Sequence, residues 1–117
     1  MARFPRRARL CKPRDYDEAF KSSTRLRDRF FDVVVQPRAG EAARLGLAIS
    51  RKALPRAVDR NHIKRLVRES FRARAASLPG ADVVVMARAA AGTAEPMALR
   101  SGLDRLWDQV RERCRPS

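Results

Sequence analysis

The stretch from residue 57 to residue 72, AVDRNHIKRLVRESFR, constrains the fold more than any other part of the chain. Wound at helical period, Ile63, Leu66, Val67, Ser70, Phe71 and the following Arg74 gather on one side. Asn61, Lys64, Arg65, Arg68 and Arg72 form a continuous stripe beside them. Val58 shares the spacing of the apolar residues, and Arg74 breaks their side near its end. A helix of this kind must bury one flank while showing the other, so it needs a second layer to sit on. Asp59 is placed to cap it, and the pattern runs to about Ala76 before the breaker Pro79-Gly80.

Three apolar runs predict that second layer. FFDVVVQ, residues 30–36, is β-branched and aromatic and stops at Pro37. RLGLAIS, residues 44–50, alternates Leu45, Leu47 and Ile49 with Gly46, Ala48 and Ser50, which makes a strand with one very small face. DVVVMA, residues 82–87, is apolar throughout and suits an interior strand. A further short strand fits Thr24 to Arg27. Asp15 with Glu18 resembles a capping box and opens a helix to about Ser22, with Tyr16 and Phe20 on one side of it. At the other end Pro96 suits a first helical turn, and Leu99, Leu103, Leu106, Trp107, Val110 and Cys114 form an amphipathic stripe. Residues 1–14 carry basic but no acidic side chains and read as a flexible basic arm. Residues 15–114 then make one α+β domain in the order α-β-β-β-α-β-α, and 117 residues leave no room for a second core.

Charge narrows the function. Lys and Arg number 27 against 13 Asp and Glu, a net charge of +14. Only four of the 27 are lysine, and arginine's planar fork suits phosphate and stacks on bases. High-GC coding accounts for a high ratio of Arg to Lys, but not for the surplus of positive charge. Self-repulsion on this scale opposes folding, and a polyanion relieves it. Nucleic acid is the first candidate and an anionic membrane surface the weaker one. No apolar run approaches the roughly 20 residues of a membrane span. The N-terminus has no apolar core of a secretory signal, although its Arg-rich, acid-poor start also fits a transit peptide. Without such processing the chain is expected in the cytoplasm.

Catalysis by this chain alone finds little support. His62 is the only histidine and falls on the far side of the helix from Ile63, beside Glu69. Asp104, Asp108 and Glu112 can align on the last helix, as metal-assisted nucleases require of their carboxylates, but Arg105 and Arg111 lie among them. A solvated helix face accounts for them better. Cys11 and Cys114 form no metal-ligand cluster and read as two unpaired thiols in a reducing compartment. From Arg51 to Arg74 the acids needed for ion pairs at helical spacing are mostly missing, which favours a nucleic-acid face over a solvated one.

At these residues the chain resembles the bacterial ribonuclease P protein subunit. The string from Ala57 to Glu69, AVDRNHIKRLVRE, is similar to that family's helix signature of Arg-Asn-Arg followed by Ile-Lys-Arg and a further Arg. RDYDEAF, FFDVVVQP, RLGLAISRK and DVVVMAR also resemble family blocks in family order, so the likeness covers about residues 9–110. One position departs clearly from the pattern, His62, which stands where Arg is usual. The aromatic pair Tyr16 and Phe20 is kept, the first usually Phe, and Val34 stands where some relatives carry an aromatic.

The resemblance implies an α/β sandwich of the ribosomal protein S5 domain 2-like kind. Its strand-helix-strand crossover is left-handed, against the right-handed rule of about 98%. It also implies a function. The protein joins a catalytic RNA subunit, which with Mg²⁺ removes the 5′ leader of precursor tRNA, and no protein partner is required. Arg51, Lys52, Arg60, Asn61, Lys64, Arg65, Arg68 and Arg72 are then expected to meet the RNA subunit. Tyr16, Phe20, Val34, Ala48 and Ser50 are expected to line a cleft for the leader. No residue of the chain is expected to be catalytic or to hold the metal by itself. The small face of Gly46, Ala48 and Ser50 leaves room for a strand of RNA, or equally for a close-packed helix. Two other classes stay open: a structural RNA-binding protein with no part in cleavage, and an independent metal-dependent nuclease.

Overall fold

A computed structural model describes residues 24–38 and 40–114. The expected arm, the helix opening at Asp15, and Tyr16 and Phe20 on it lie outside these residues. The rest follows the expected order, with four strands and two long helices: β1 (Thr24–Arg27), β2 (Phe31–Pro37), β3 (Arg44–Leu47), α1 (Ala57–Arg74), β4 (Ala81–Ala87) and α2 (Pro96–Arg113). One sheet runs β1-β2-β4-β3. β1 and β2 form an antiparallel hairpin, β2 and β4 are antiparallel, and β3 and β4 are parallel neighbours joined through α1.

The apolar run 82–87 lies inside the sheet, hydrogen-bonded on both edges, which is why it needs no polar alternation. Strand alternation splits the sheet's side chains between two faces. Leu26, Phe31, Val33, Val35, Leu45, Val83 and Val85 join Ile63, Leu66, Val67 and Phe71 of α1 and Leu99, Leu103, Leu106, Trp107 and Val110 of α2 in one buried cluster. Both helices therefore cover the same face. On the other face Val34 and Val84, both fully buried, form a second cluster with Ala48 and Met86 packed against it.

Two turns fix the hairpin and the crossover. Between β1 and β2, Asp28 accepts the backbone N–H groups of Phe30 (2.8 Å) and Phe31 (2.7 Å) on one carboxylate oxygen. This Asx-type turn packs on α2 where Gly102 stands, and a Cβ there would press within 2.7 Å of the Asp28 carboxylate. Before β4, a Cβ at Gly80 would overlap the carbonyl oxygens of Glu41 and Arg38. Gly80 is thus the residue that lets the β2–β3 turn close over the end of α1, and its own carbonyl takes the Arg38 N–H at 2.8 Å.

The structure corrects several details. α1 begins at Ala57, two residues before Asp59, and has no side-chain cap. Asp59 instead lies in the first turn, 3.9 Å from Arg56, where a carboxylate complements the helix N-terminus. The last turn tightens into a 3-10 stretch over Ala75–Ser77. β3 is shorter than residues 44–50, although the Ala48 N–H still reaches the Val85 carbonyl at 3.0 Å. Val58 is 60% exposed and belongs to no core.

Candidate nucleic-acid interface

The two polar residues on the apolar side of α1 both find partners on α2. Ser70 accepts the Trp107 indole N–H at 2.8 Å, and Phe71 meets the same ring edge-on with centroids 5.7 Å apart. Arg74, expected merely to interrupt the stripe, reaches Asp104 at 3.6 Å and hydrogen-bonds Asp108. Asp104 and Asp108, two of the three acids that could have suggested a metal site, are thereby engaged with an arginine, and Asp108 also lies 3.8 Å from Arg111. Among the described residues no group of three His, Cys, Asp or Glu side chains could hold a metal ion.

The same pattern holds elsewhere. Asp82, buried at 2% exposure, takes a two-pronged contact from Arg44 (2.7 and 2.8 Å) and a longer one from Arg38. Asp32 faces Arg27 and Arg88. Every aspartate among the described residues is committed to an arginine or to backbone N–H groups.

The expected basic stripe stands apart from that neutralisation. Asn61, Arg65 and Arg68 are exposed and Lys64 and Arg72 half-buried along one flank of α1. Arg51 and Lys52 are exposed on the turn just before it. Among the described residues Arg51, Lys52, Lys64, Arg65 and Arg68 form no ion pair. Val58, which shares the apolar spacing, is exposed on the same helix. Arg60 differs from the rest, because its guanidinium donates to the carbonyls of Leu54 (2.8 Å) and Pro55 (2.7 Å). It fastens the basic turn to the helix and so positions its neighbours. His62 is exposed on the remaining flank.

The residues expected at the other site are only partly together. Val34 and Ala48 lie on the sheet face away from α1 and α2, with β4 between them, but Val34 is fully buried. Gly46 is buried as well, and Ser50 is exposed with its hydroxyl accepting the Ala53 N–H at 3.1 Å. That bond shapes the turn carrying Arg51 and Lys52, a role that strand alternation could not reveal.

A small α+β domain with a net charge of +14, whose Lys64, Arg65 and Arg68 stand along one helix without ion pairs among the described residues, belongs to the class of RNA-binding proteins. The family description Ribonuclease P matches residues 4–111. The ribonuclease P protein component of Thioalkalivibrio sulfidiphilus is 44% identical over 111 residues, covering 95% of this chain and 92% of its own length. That of Methylococcus capsulatus is also 44% identical, over 95% of this chain and 87% of its own. Among solved structures, the Staphylococcus aureus RNase P protein superposes with a TM-score of 0.81 at 28% identity, over 89% of this chain and 97% of that one. The Thermotoga maritima protein gives 0.77 at 31% identity, over 87% and 96%. The chain belongs to the ribonuclease P protein family.

Proposed function

We propose that this chain binds the catalytic RNA of ribonuclease P through the α1 stripe and assists removal of the 5′ leader from precursor tRNA. The observation that carries this reading is a continuous basic row, on α1 and the turn before it, that no acid among the described residues neutralises. Aspartates are spent on Arg27, Arg38, Arg44, Arg74, Arg88 and Arg111, while Arg51, Lys52, Lys64, Arg65 and Arg68 have no acidic partner among the described residues. Fixed guanidinium and ammonium groups on a seated helix bind phosphates without first breaking ion pairs. Asn61 adds an amide that can bond base or sugar. Arg60 contributes by holding the Arg51–Lys52 turn against the helix.

In this reading the RNA subunit performs the cleavage, and Mg²⁺ is bound mainly by that RNA and the substrate. Tyr16, Phe20, Ala48 and Ser50 are proposed to border the leader, while Val34, fully buried, backs that face from within. The complex works in the cytoplasm and needs neither a membrane nor a second protein. No helix among the described residues is long and apolar enough to cross a bilayer.

The test is reconstitution. Purified, RNA-free chain is incubated with precursor tRNA, with and without the cognate RNA subunit. Faster leader removal by the reconstituted complex, at low Mg²⁺, than by RNA alone is the expected result. Binding without any effect on cleavage would favour a structural RNA-binding role. Cleavage by the chain alone, abolished by a carboxylate substitution, would make it a nuclease in its own right.

A further inference from the structure

A second surface carries uncommitted chemistry. A groove of about 240 Å³ opens where the β1–β2 turn meets the 3-10 stretch Ala89–Thr93 and the start of α2. Phe30 and the alanines 90, 94 and 98 line it, with Arg29, Thr93 and Glu95 around them. The Arg29 guanidinium lies over the Phe30 ring, 5.6 Å from its centroid. Glu95 occupies the position before the first turn of α2, yet its side chain makes no capping bond. Among the described residues neither Arg29, Thr93 nor Glu95 has an ion pair or side-chain hydrogen bond. The contrast with the groove between α1 and α2 is plain, because its Ser70 and Arg74 are already bound to Trp107, Asp104 and Asp108.

We infer that the Arg29–Phe30–Glu95 groove seats a single unpaired RNA base, guanine in preference to uracil. The inference rests on the RNA-binding reading above. The groove is smaller than the roughly 300–1,000 Å³ of clefts for drug-sized ligands and suits one flat ring system. Its floor is an aromatic ring with a guanidinium already placed for stacking, an arrangement that accepts any base. The carboxylate then discriminates. Guanine offers N–H donors side by side on its pairing edge, which one carboxylate accepts together. Uracil offers a single N–H between two carbonyls, which a carboxylate repels. A phosphate is a poor occupant because Glu95 opposes it.

The 3-10 stretch on one side of the groove also approaches the connection into α1, since a Cβ at Gly92 would lie 2.9 Å from the Leu54 side chain.

The full chain is titrated by fluorescence anisotropy with 5′-labelled UUGUU and UUUUU pentaribonucleotides. The two carry equal charge, so the stripe attracts them equally and their difference reads the groove. Wild-type protein is expected to bind UUGUU about tenfold or more tightly, the lower end of what hydrogen bonds to a charged group contribute. Glu95→Ala should erase the preference, and Ala98→Leu, which fills the groove without altering charge, should do the same. Both positions are exposed, and unchanged thermal melts confirm folding. Equal wild-type affinities, or a preference that survives Ala98→Leu, would overturn the base seat. If neither pentamer bound at low salt, the RNA-binding reading itself would fail.

Discussion

Ser70 shows how little polarity the interior of this protein tolerates. Its hydroxyl is the acceptor for the indole N–H of a fully buried tryptophan, so Ser70→Ala removes one small atom and strands a buried donor. Such a loss costs about 1–3 kcal/mol. The expected outcome is a lower urea midpoint for Ser70→Ala, with RNA affinity of the folded protein unchanged. Arg65 and Arg68 should behave in the opposite way. Each neutralised phosphate contributes roughly 0.9 to the log-log salt slope on a duplex and 0.7 on a single strand. Arg65→Ala or Arg68→Ala should flatten the slope by about one such unit and leave the melt alone. An unchanged slope in both variants would mean that the stripe is only solvated. At Cys114, burial at the end of α2 pushes the thiol pKa up. Less thiolate is then present at a given pH than in the unfolded chain, and the difference closes only as pH rises past the folded value. Iodoacetamide should label Cys114 more slowly in the native protein than in urea, as read by mass spectrometry of that peptide.

At the scale of elements, the crossover from β3 through α1 to β4 depends on Gly80. Gly80→Ala forces a methyl group into two backbone carbonyls that belong to another turn. A clear fall in melting temperature is expected, larger than for Gly40→Ala, where the strain is a positive φ of 82° in open space. These elements were largely legible in advance. FFDVVVQ and DVVVMA announce strands through their short length, their valines and their flanking Pro or Gly, and α2 follows from its leucine spacing and Pro96. Helical periodicity also identified Ile63, Leu66, Val67 and Phe71 as the seat of α1. What it could not supply was the identity of the neighbour. Arg74 looked like an error in an apolar stripe because its acids lie on a different helix, thirty or more residues away in the chain. Asp59 was read as a cap because residue type alone cannot separate the capping position from the first turn. Arg60 looked like one more cation, since no pattern records a side chain folding back onto carbonyls of its own approach loop.

The molecule as a whole carries a charge of +14 on 117 residues, and its folded state must bear that repulsion. Added salt screens it. The melting temperature of the free protein should therefore rise between low and moderate NaCl, while its affinity for RNA falls over the same range. A melt that fell with salt would show that the surface arginines are balanced within the fold. The surplus of positive charge predicts the first result, because 13 acidic side chains cannot pair 27 basic ones.

That helix is fastened at both ends. Arg60 ties its beginning to the carbonyls of Leu54 and Pro55, and Arg74 ties its end to Asp104 and Asp108. A segment held in this way has little backbone freedom left to surrender when a partner arrives. Recognition should then be limited by encounter rather than by folding: fast association, accelerated at low ionic strength, with differences among stripe variants expressed mainly in how soon the complex falls apart. Cutting one fastening, as in Arg74→Ala, should slow capture of RNA even though Arg74 itself faces the other helix.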